Sequence, residues 1–277
     1  MDFDYRFAVA TFERPSIFSK NTLSLFLING IDLNKVDVFI ENEEQLKKYK
    51  PLCGDLNYII TNTKGLGEKR NWIRYYYTYI NYCKYVVQID DDIEYFITKT
   101  ERPYDNLKKI CDEGFEACEK ENASIWTICP SDNNWFYKDY YTIDLKYCCG
   151  CFNGWINEKN YCPYMTDMEH FEDIDWTLFH FFKDGKIIKN FKYGLKTKYL
   201  NPEGGMASQF NGNKERMKYA EEQADYLMDK WGRHLFKIKR NKHGINLLLN
   251  RHYKPTEDEL FFRKSHKSNP QINTLFQ

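Results

Sequence analysis

In the first half of the chain, short apolar runs alternate with segments of helical period, and this alternation limits the fold more than any other feature. Phe7–Phe12, Val36–Ile40, Asn57–Thr61 and Tyr85–Ile89 read as strands. Ser16–Asn29, closed by Gly30, and Asn71–Tyr82 read as helices. Tyr104–Asn122 places Leu107, Ile110, Cys111, Phe115 and Cys118 on one face and its charges on the other. Strands separated by helices pair in parallel through crossovers. The pattern therefore predicts an α/β fold with a mostly parallel central sheet flanked by helices. The second half is less regular. Ser124–Cys129 and Cys148–Phe152 read as strands, Phe171–Phe182 as a helix and Lys186–Leu195 as one or two strands. Lys214–Trp231 reads as a helix, with Met217, Ala220, Ala224, Leu227, Met228 and Trp231 in phase. No internal repeat or low-complexity linker divides the chain, which predicts a single domain over 1–277, with parts at 1–100, 101–230 and 231–277.

Composition narrows the class. Hydrophobic residues make up 42% of the 277 and charged residues 29%, which excludes a disordered chain. A chain of this length buries most of its apolar surface without staples. Forty Lys and Arg cancel forty Asp and Glu, so bulk charge gives no argument for a nucleic-acid partner. No apolar run approaches the ~20 residues of a membrane span. Met1–Phe7 carries acids and aromatics rather than a basic segment before an apolar one, so no secretory leader is expected. The nine Cys, an odd number, are expected to be reduced, as in the cytoplasm.

Tyr85–Ile89 runs straight into Asp90-Asp91-Asp92. In open α/β sheets ligands bind at the C-terminal edge of the strands. Side chains alternate along a strand, so Asp90 and Asp92 are expected on one side. Two carboxylates so placed repel each other unless a cation intervenes. A hard divalent ion such as Mg²⁺ or Mn²⁺ relieves that repulsion and keeps coordination sites for phosphate oxygens. The competing reading is a solvated acidic turn.

The strand ending in Asp-x-Asp is preceded by Gly65-Leu66-Gly67-Glu68-Lys69-Arg70-Asn71 at a loop-to-helix junction. Together these resemble the GT-A-fold nucleotide-sugar glycosyltransferases. Val9-Ala10-Thr11-Phe12-Glu13-Arg14-Pro15 is similar to that family's first strand and nucleotide-contacting loop. Glu172-Asp173-Ile174-Asp175-Trp176 stands where inverting members carry a Glu-Asp pair. The resemblance spans Val9 to Trp176. It implies that 1–100 is the nucleotide-sugar-binding half, 101–230 the acceptor half and 231–277 a basic C-terminal segment. It also implies nucleotide-sugar contacts from Thr11, Phe12, Arg14, Glu41, Arg70, Asp90 and Asp91, and Mn²⁺ or Mg²⁺ held by Asp90 and Asp92. The catalytic base is implied to be Asp173, with Glu172 and Asp175 behind it. A third metal ligand, usually His, is implied in the C-terminal part, where His243 and His234 are the candidates. Gly204 and Gly205 precede a helix, where backbone can approach a diphosphate; a simple turn is the alternative.

Cys148-Cys149-Gly150-Cys151 lacks the Cys-x-x-Cys spacing of structural zinc sites and reads as a core strand. Gly154-Trp155 offers either an acceptor-stacking platform or a core Trp. From Trp231 to Pro255 there is no acid, while Arg233, Lys237, Lys239, Arg240, Lys242 and Arg251 are positive, as in a surface that binds a phosphate backbone. A GT-A enzyme with such a stretch is similar to the DNA-modifying glycosyltransferases of T-even-type phages, in particular the β-glucosyl-HMC α-glucosyltransferase type. That resemblance implies UDP-glucose as donor, glucosylated hydroxymethylcytosine in double-stranded DNA as acceptor, and the infected host's cytoplasm as location. Two other readings fit the same residues. One is a GT-A glycosyltransferase acting on polysaccharide, lipid or protein. The other is a non-catalytic nucleic-acid-binding protein whose acids are structural.

Overall fold

The computed structural model describes residues 3–159, 163–197, 212–241 and 244–260. The chain begins with β1 (Tyr5–Ala10), then α1 (Pro15–Phe18) and α2 (Ser24–Ile28), joined by a π turn at Ser19–Leu23. There follow β2 (Val36–Ile40), α3 (Glu43–Cys53), β3 (Asn57–Ile60), α4 (Leu66–Tyr75), β4 (Tyr85–Asp90) and β5 (Ile93–Ile97). Next come α5 (Leu107–Glu121), β6 (Ile125–Cys129), β7 (Tyr141–Thr142), β8 (Phe152–Ile156), α6 (Glu172–Asp184) and β9 (Ile188–Thr197). α7 (Asn213–Trp231) leads to a separate hairpin of β10 (Phe236–Asn241) and β11 (Gly244–Leu249). Helix ends follow local chemistry. The Asn42 side chain accepts from the Gln45 amide to start α3, and Asn106 does the same for Lys109 at the start of α5. Gly185, at φ 74°, stops α6.

The main sheet has nine strands in the order β3-β2-β1-β4-β8-β6-β9-β5, with β7 paired to β9. β3, β2, β1, β4, β6 and β9 run one way, while β8, β5 and β7 run against them. The C-terminal ends of β1, β2, β4 and β6 therefore share one edge. Alternation along β1 divides the core between the two faces. Phe7 and Val9 pack with α2 and α5, through residues such as Phe26, Ile110 and Phe115. Ala8 and Ala10 lie with Ile73, Tyr77, Leu178, Phe181, Ala224 and Leu227, and this second cluster continues into Phe236, Ile245 and Leu247 of the hairpin. Among the described residues no helix is long and apolar enough to cross a membrane.

The structure departs from the sequence reading at several places. The helix expected from Asn71 starts at Leu66, because Gly65 caps it and the bare Gly67 lets the Met168 carbonyl pass, where a Cβ would lie 1.9 Å away. The strand expected at Cys148–Phe152 begins only at Phe152. Gly150 instead gives its carbonyl to Arg70 and Gln88 and its amide to Asp173, so it has no ladder partner to offer. α3, β5, β7 and the β10–β11 hairpin were not expected. Of the two readings of Trp155, the core one holds: it is 4% exposed and edge-on to Trp176 at 6.1 Å, and offers no platform.

Trp126 on β6 is fully buried, and two glycines make room for its indole. A Cβ on Gly114 of α5 would lie 2.3 Å from the ring, and one on Gly154 of β8 would lie 2.4 Å from it. Helix-to-sheet spacing at this point is thus fixed by two absent side chains. Gly114→Ala should cost about 1–3 kcal/mol through overpacking, despite its higher helix propensity. Urea unfolding would measure the loss; an unchanged or raised midpoint would show that the helix can move away.

Candidate active site

The acidic triplet sits where β4 leaves the sheet, but strand alternation does not extend through it. Asp90 ends β4, and Asp91 and Asp92 form a turn into β5. Thr22 pins that turn, donating its hydroxyl to the Asp90 carbonyl at 2.7 Å and accepting the Ile93 amide at 3.1 Å. The three carboxylates then meet different partners. Asp91 accepts the Thr11 hydroxyl at 2.6 Å, and Thr11 in turn lies 2.5 Å from the Tyr49 hydroxyl. Asp92 accepts the Thr197 hydroxyl at 2.5 Å. Arg14 Nη1 lies 3.4 Å from Asp91 and 3.5 Å from Asp92. Asp90 faces Arg70 Nη2 at 3.3 Å.

Burial pushes the Asp90 carboxyl up to about 7, against the pull of Arg70, and its acidic neighbours push the same way. Burial pushes Asp91 up to about 6, opposed by Arg14 and Thr11, and raises Asp92 as well. The turn thus holds more carboxylate than its arginines neutralise comfortably. That donor set fits a hard divalent cation. The Asp90 side chain is 28% exposed and the Asp92 side chain 12%, whereas Asp91 is held by Thr11 and Arg14. Mg²⁺-type sites commonly use one or two carboxylates and complete the shell with substrate phosphates and water. Among the described residues no group of three or more His, Cys, Asp or Glu is placed to hold a metal. His234 lies beyond the end of α7, its ring 5.2 Å from that of Tyr253, and is not brought to the acids. His243 is outside the described residues.

Arg70 connects the triplet to the second acidic element. Its guanidinium is almost fully buried and donates to the Gly150 carbonyl at 2.8 Å. It reaches Asp90 on one side and Glu172 Oε1, 3.3 Å from Nε, on the other. Burial works against its charge, but the carboxylates of Glu172, Asp90 and Asp173 outweigh it and hold Arg70 cationic. A Cβ on Gly150 would lie 2.4 Å from Arg70 Nη1, so glycine is required for this approach. Burial, with the charge of Asp173, pushes Glu172 up to about 8, against Arg70.

Glu172 and Asp173 open α6, directly after Phe171, whose φ of 66° is a strained left-handed conformation for a non-glycine residue. Asp173 is only half-buried. It accepts from the Tyr147 hydroxyl, from the Gly150 amide at 3.3 Å and from the Ile174 amide at 2.9 Å. Asp175 is not brought to this group. Its carboxylate is fully buried and takes Thr166 at 2.6 Å, Tyr164 at 2.9 Å and the Trp231 indole N–H at 2.6 Å, with Lys230 at 3.1 Å. It ties α6 to α7. The segment before α6 is also tied: Glu169 accepts the Gly67 and Glu68 amides at the start of α4, at 3.0 and 3.1 Å.

At the end of β1, Thr11, Arg14 and Asp91 form one group. Lys69, one residue before Arg70, is buried and donates to the Thr11 carbonyl at 2.7 Å, 5.5 Å from the Phe12 ring centroid. Burial lowers Lys69 to about 8, opposed by Glu41 and Asp91. Glu41 follows β2, its carbonyl accepting the Asn62 amide at 2.8 Å. Gly204 and Gly205 lie outside the described residues. Tyr49, Tyr147, Thr22 and Thr197 were missed. Each is distant in sequence from its acid or threonine partner, and no local pattern marks it.

The basic candidates are divided. Arg233 pairs with Asp229 and Asp225, and Arg240 with Glu221, all on α7. Lys237 and Lys239 are exposed on β10, and Arg251 is exposed beside His252. Lys242 lies outside the described residues.

No family model matches the chain, and no curated protein matches it in sequence. Solved structures match it in shape. Glucosyl-3-phosphoglycerate synthase from Mycobacterium tuberculosis, in complex with Mn²⁺, uridine diphosphate and glucosyl-3-phosphoglycerate, superposes with a TM-score of 0.51 at 9% identity. The match covers 89% of this chain and 88% of that one. The same synthase with uridine diphosphate alone gives 0.51 at 9% identity, over 91% and 90%. S. aureus TarS 1–349 in complex with UDP-GlcNAc gives 0.50 at 12% identity, over 82% of this chain and 66% of that one. The six co-directional strands, the acidic turn at the C-terminal edge and these superpositions together give the chain the GT-A fold of nucleotide-diphospho-sugar transferases.

Proposed function

We propose that the chain is a metal-dependent inverting glycosyltransferase. On this reading it moves glucose from UDP-glucose onto a hydroxyl of glucosylated hydroxymethylcytosine in phage DNA, in the infected host's cytoplasm. The observation that carries the catalytic part is the buried Arg70, which joins Asp90 of the acidic turn to Glu172 and, through Gly150, to Asp173. Solved structures of the same fold hold uridine diphosphate, one of them with Mn²⁺, and this supports a UDP-sugar donor.

Asp90 and Asp92 would hold the divalent ion, which supplies Lewis-acid neutralisation of the leaving diphosphate. Arg70 and Arg14 present fixed positive charge to the same edge, already oriented by carboxylates, so little reorganisation accompanies the reaction. Asp173, only half-buried, takes the proton of the acceptor hydroxyl. The bond from the sugar C1 to the diphosphate oxygen breaks as the bond to the acceptor oxygen forms, and a single displacement inverts the anomeric centre. Tyr147 and the Gly150 amide hold one oxygen of Asp173 in place. Glu172 fixes Arg70 from behind.

The DNA acceptor is supported by Lys237 and Lys239, which stand exposed on the hairpin. The pairing of Arg233 and Arg240 with acids of α7 favours a second reading, a glycosyltransferase whose acceptor is a polysaccharide or protein. The eight described cysteines are free, in keeping with a reducing cytoplasm.

Labelled glucose transfer from UDP-glucose, with Mn²⁺, to unmodified, hydroxymethylated and glucosylated hydroxymethylated DNA separates these readings. Label only in the glucosylated DNA is the expected result. Asp92→Ala should lower turnover by at least about 10²-fold, equivalent to about 2.7 kcal/mol of transition-state stabilisation, and chelation should do the same to the wild type. Asp173→Asn should cut the rate by about 10²-fold or more with donor binding retained; a loss under about threefold would place the base elsewhere. If about five phosphates are neutralised, log affinity for DNA should fall against log salt with a slope of about −4 to −5. A flat dependence would remove the hairpin as a DNA surface.

A further inference from the structure

The connection that leaves β6 carries the most exposed aromatic residue described. Trp135 is 81% exposed, and Phe136 beside it 48%. Both belong to a short 3₁₀ turn, Asn134–Phe136. β6 runs in the same sense as β4, so this turn follows the same sheet edge as the acidic triplet. It is firmly held. Tyr137 is buried and donates its hydroxyl to the Ser131 carbonyl at 2.8 Å. The Lys138 amide donates to Phe191 at 2.9 Å, and the Trp135 amide to the Asn133 side chain at 3.0 Å. Gly194 is needed here, since a Cβ would lie 2.4 Å from the Tyr137 hydroxyl. The turn is also linked to the acids: Asp132 meets Lys196 at 3.1 Å, and the next residue, Thr197, donates to Asp92.

Two large apolar rings held in water by a rigid turn forgo burial that the fold would otherwise gain, which marks a contact surface. The polar groups around them indicate what fits. Asn133 and Asn134 are exposed amides. Of the flanking cations, Arg102 and Lys196 are engaged by Asp132 and Lys146 by Asp144, and the exposed Lys138 is followed directly by the exposed Asp139, which balances it in charge. Such a surface offers no excess positive charge to a phosphate backbone or an anionic membrane. Aromatic faces bordered by amides and neutralised ion pairs suit an uncharged ring with one apolar face and peripheral hydroxyls.

We propose that Trp135 and Phe136 form an acceptor subsite that stacks on a hexopyranose ring, the sugar whose hydroxyl is to be modified. This rests on the glycosyltransferase reading and deepens it. The test needs no turnover. Saturation-transfer NMR with methyl β-glucopyranoside should show contact with the wild type and none with Trp135→Ala. In a second arm, the protein should prefer a duplex bearing glucosylated hydroxymethylcytosine over the unmodified duplex by about tenfold, and Trp135→Ala should abolish the preference. Loss in either arm supports the subsite, and the arm that responds tells whether the sugar is recognised free or on DNA. Survival in the variant of every response the wild type shows, or wild-type indifference in both arms, would overturn it. Binding of UDP with Mn²⁺, measured on both proteins, tests the glycosyltransferase reading separately and should be unchanged by Trp135→Ala. Thermal unfolding should also be unchanged, since the side chain is exposed.

Discussion

The site depends on one buried guanidinium. Arg70 lies between two acidic elements that are distant in sequence, the end of β4 and the start of α6, and it also takes a backbone carbonyl of the turn between β7 and β8. An unpaired arginine at that depth would be strongly destabilising. So would Asp90 and Glu172 without it, and burial already pushes both carboxyls upward. Each group is tolerable only because the others are present. This mutual dependence sets the distance between the acids of the β4 turn and those that open α6. It explains why the glycine at 150 is required, since any side chain there would displace the guanidinium.

The fold around this centre supplies rigidity by matching absences to bulk. Trp126 fits because Gly114 and Gly154 leave space for it, and the Met168 carbonyl passes because Gly67 does. Asp175 adds a second buried polar node, with Thr166, Tyr164, Trp231 and Lys230 around it. That node fixes α6 against α7, and with it the orientation of Asp173 two residues earlier. An acid that looked like a third candidate base in the sequence is therefore a positioning element.

The parallel half of the sheet was legible because each of its strands is a short apolar run bounded by helix signals. The acid triplet was legible because it interrupts such a run. What was not legible came from contacts between remote segments. The separation of Asp90, Asp91 and Asp92 onto different partners depends on Thr11, Thr22 and Thr197, and an isolated threonine carries no spacing signal. β8 was misplaced because Cys148–Cys151 has strand composition, while the Gly150 backbone groups answer to Arg70, Gln88 and Asp173 and the Cys148 amide to Thr177. Trp155 and Trp135 show the same limit. Trp155 lies within β8 and Trp135 within a 3₁₀ turn, and only packing tells that one is core and the other open to solvent.

Glu169 gives the start of α4 a further meaning. The first-turn amides of a helix are a natural seat for a phosphate group, and here Gly67 and Glu68 give theirs to a carboxylate of the chain itself. An incoming diphosphate must displace that internal anion or be met by side chains alone. On the proposed function, the second course leaves recognition of the donor to arginines such as Arg14 and Arg70, whose aim is adjustable one substitution at a time, rather than to a backbone nest built into the fold. A scaffold of this kind can exchange one anionic leaving group for another without rebuilding its helices.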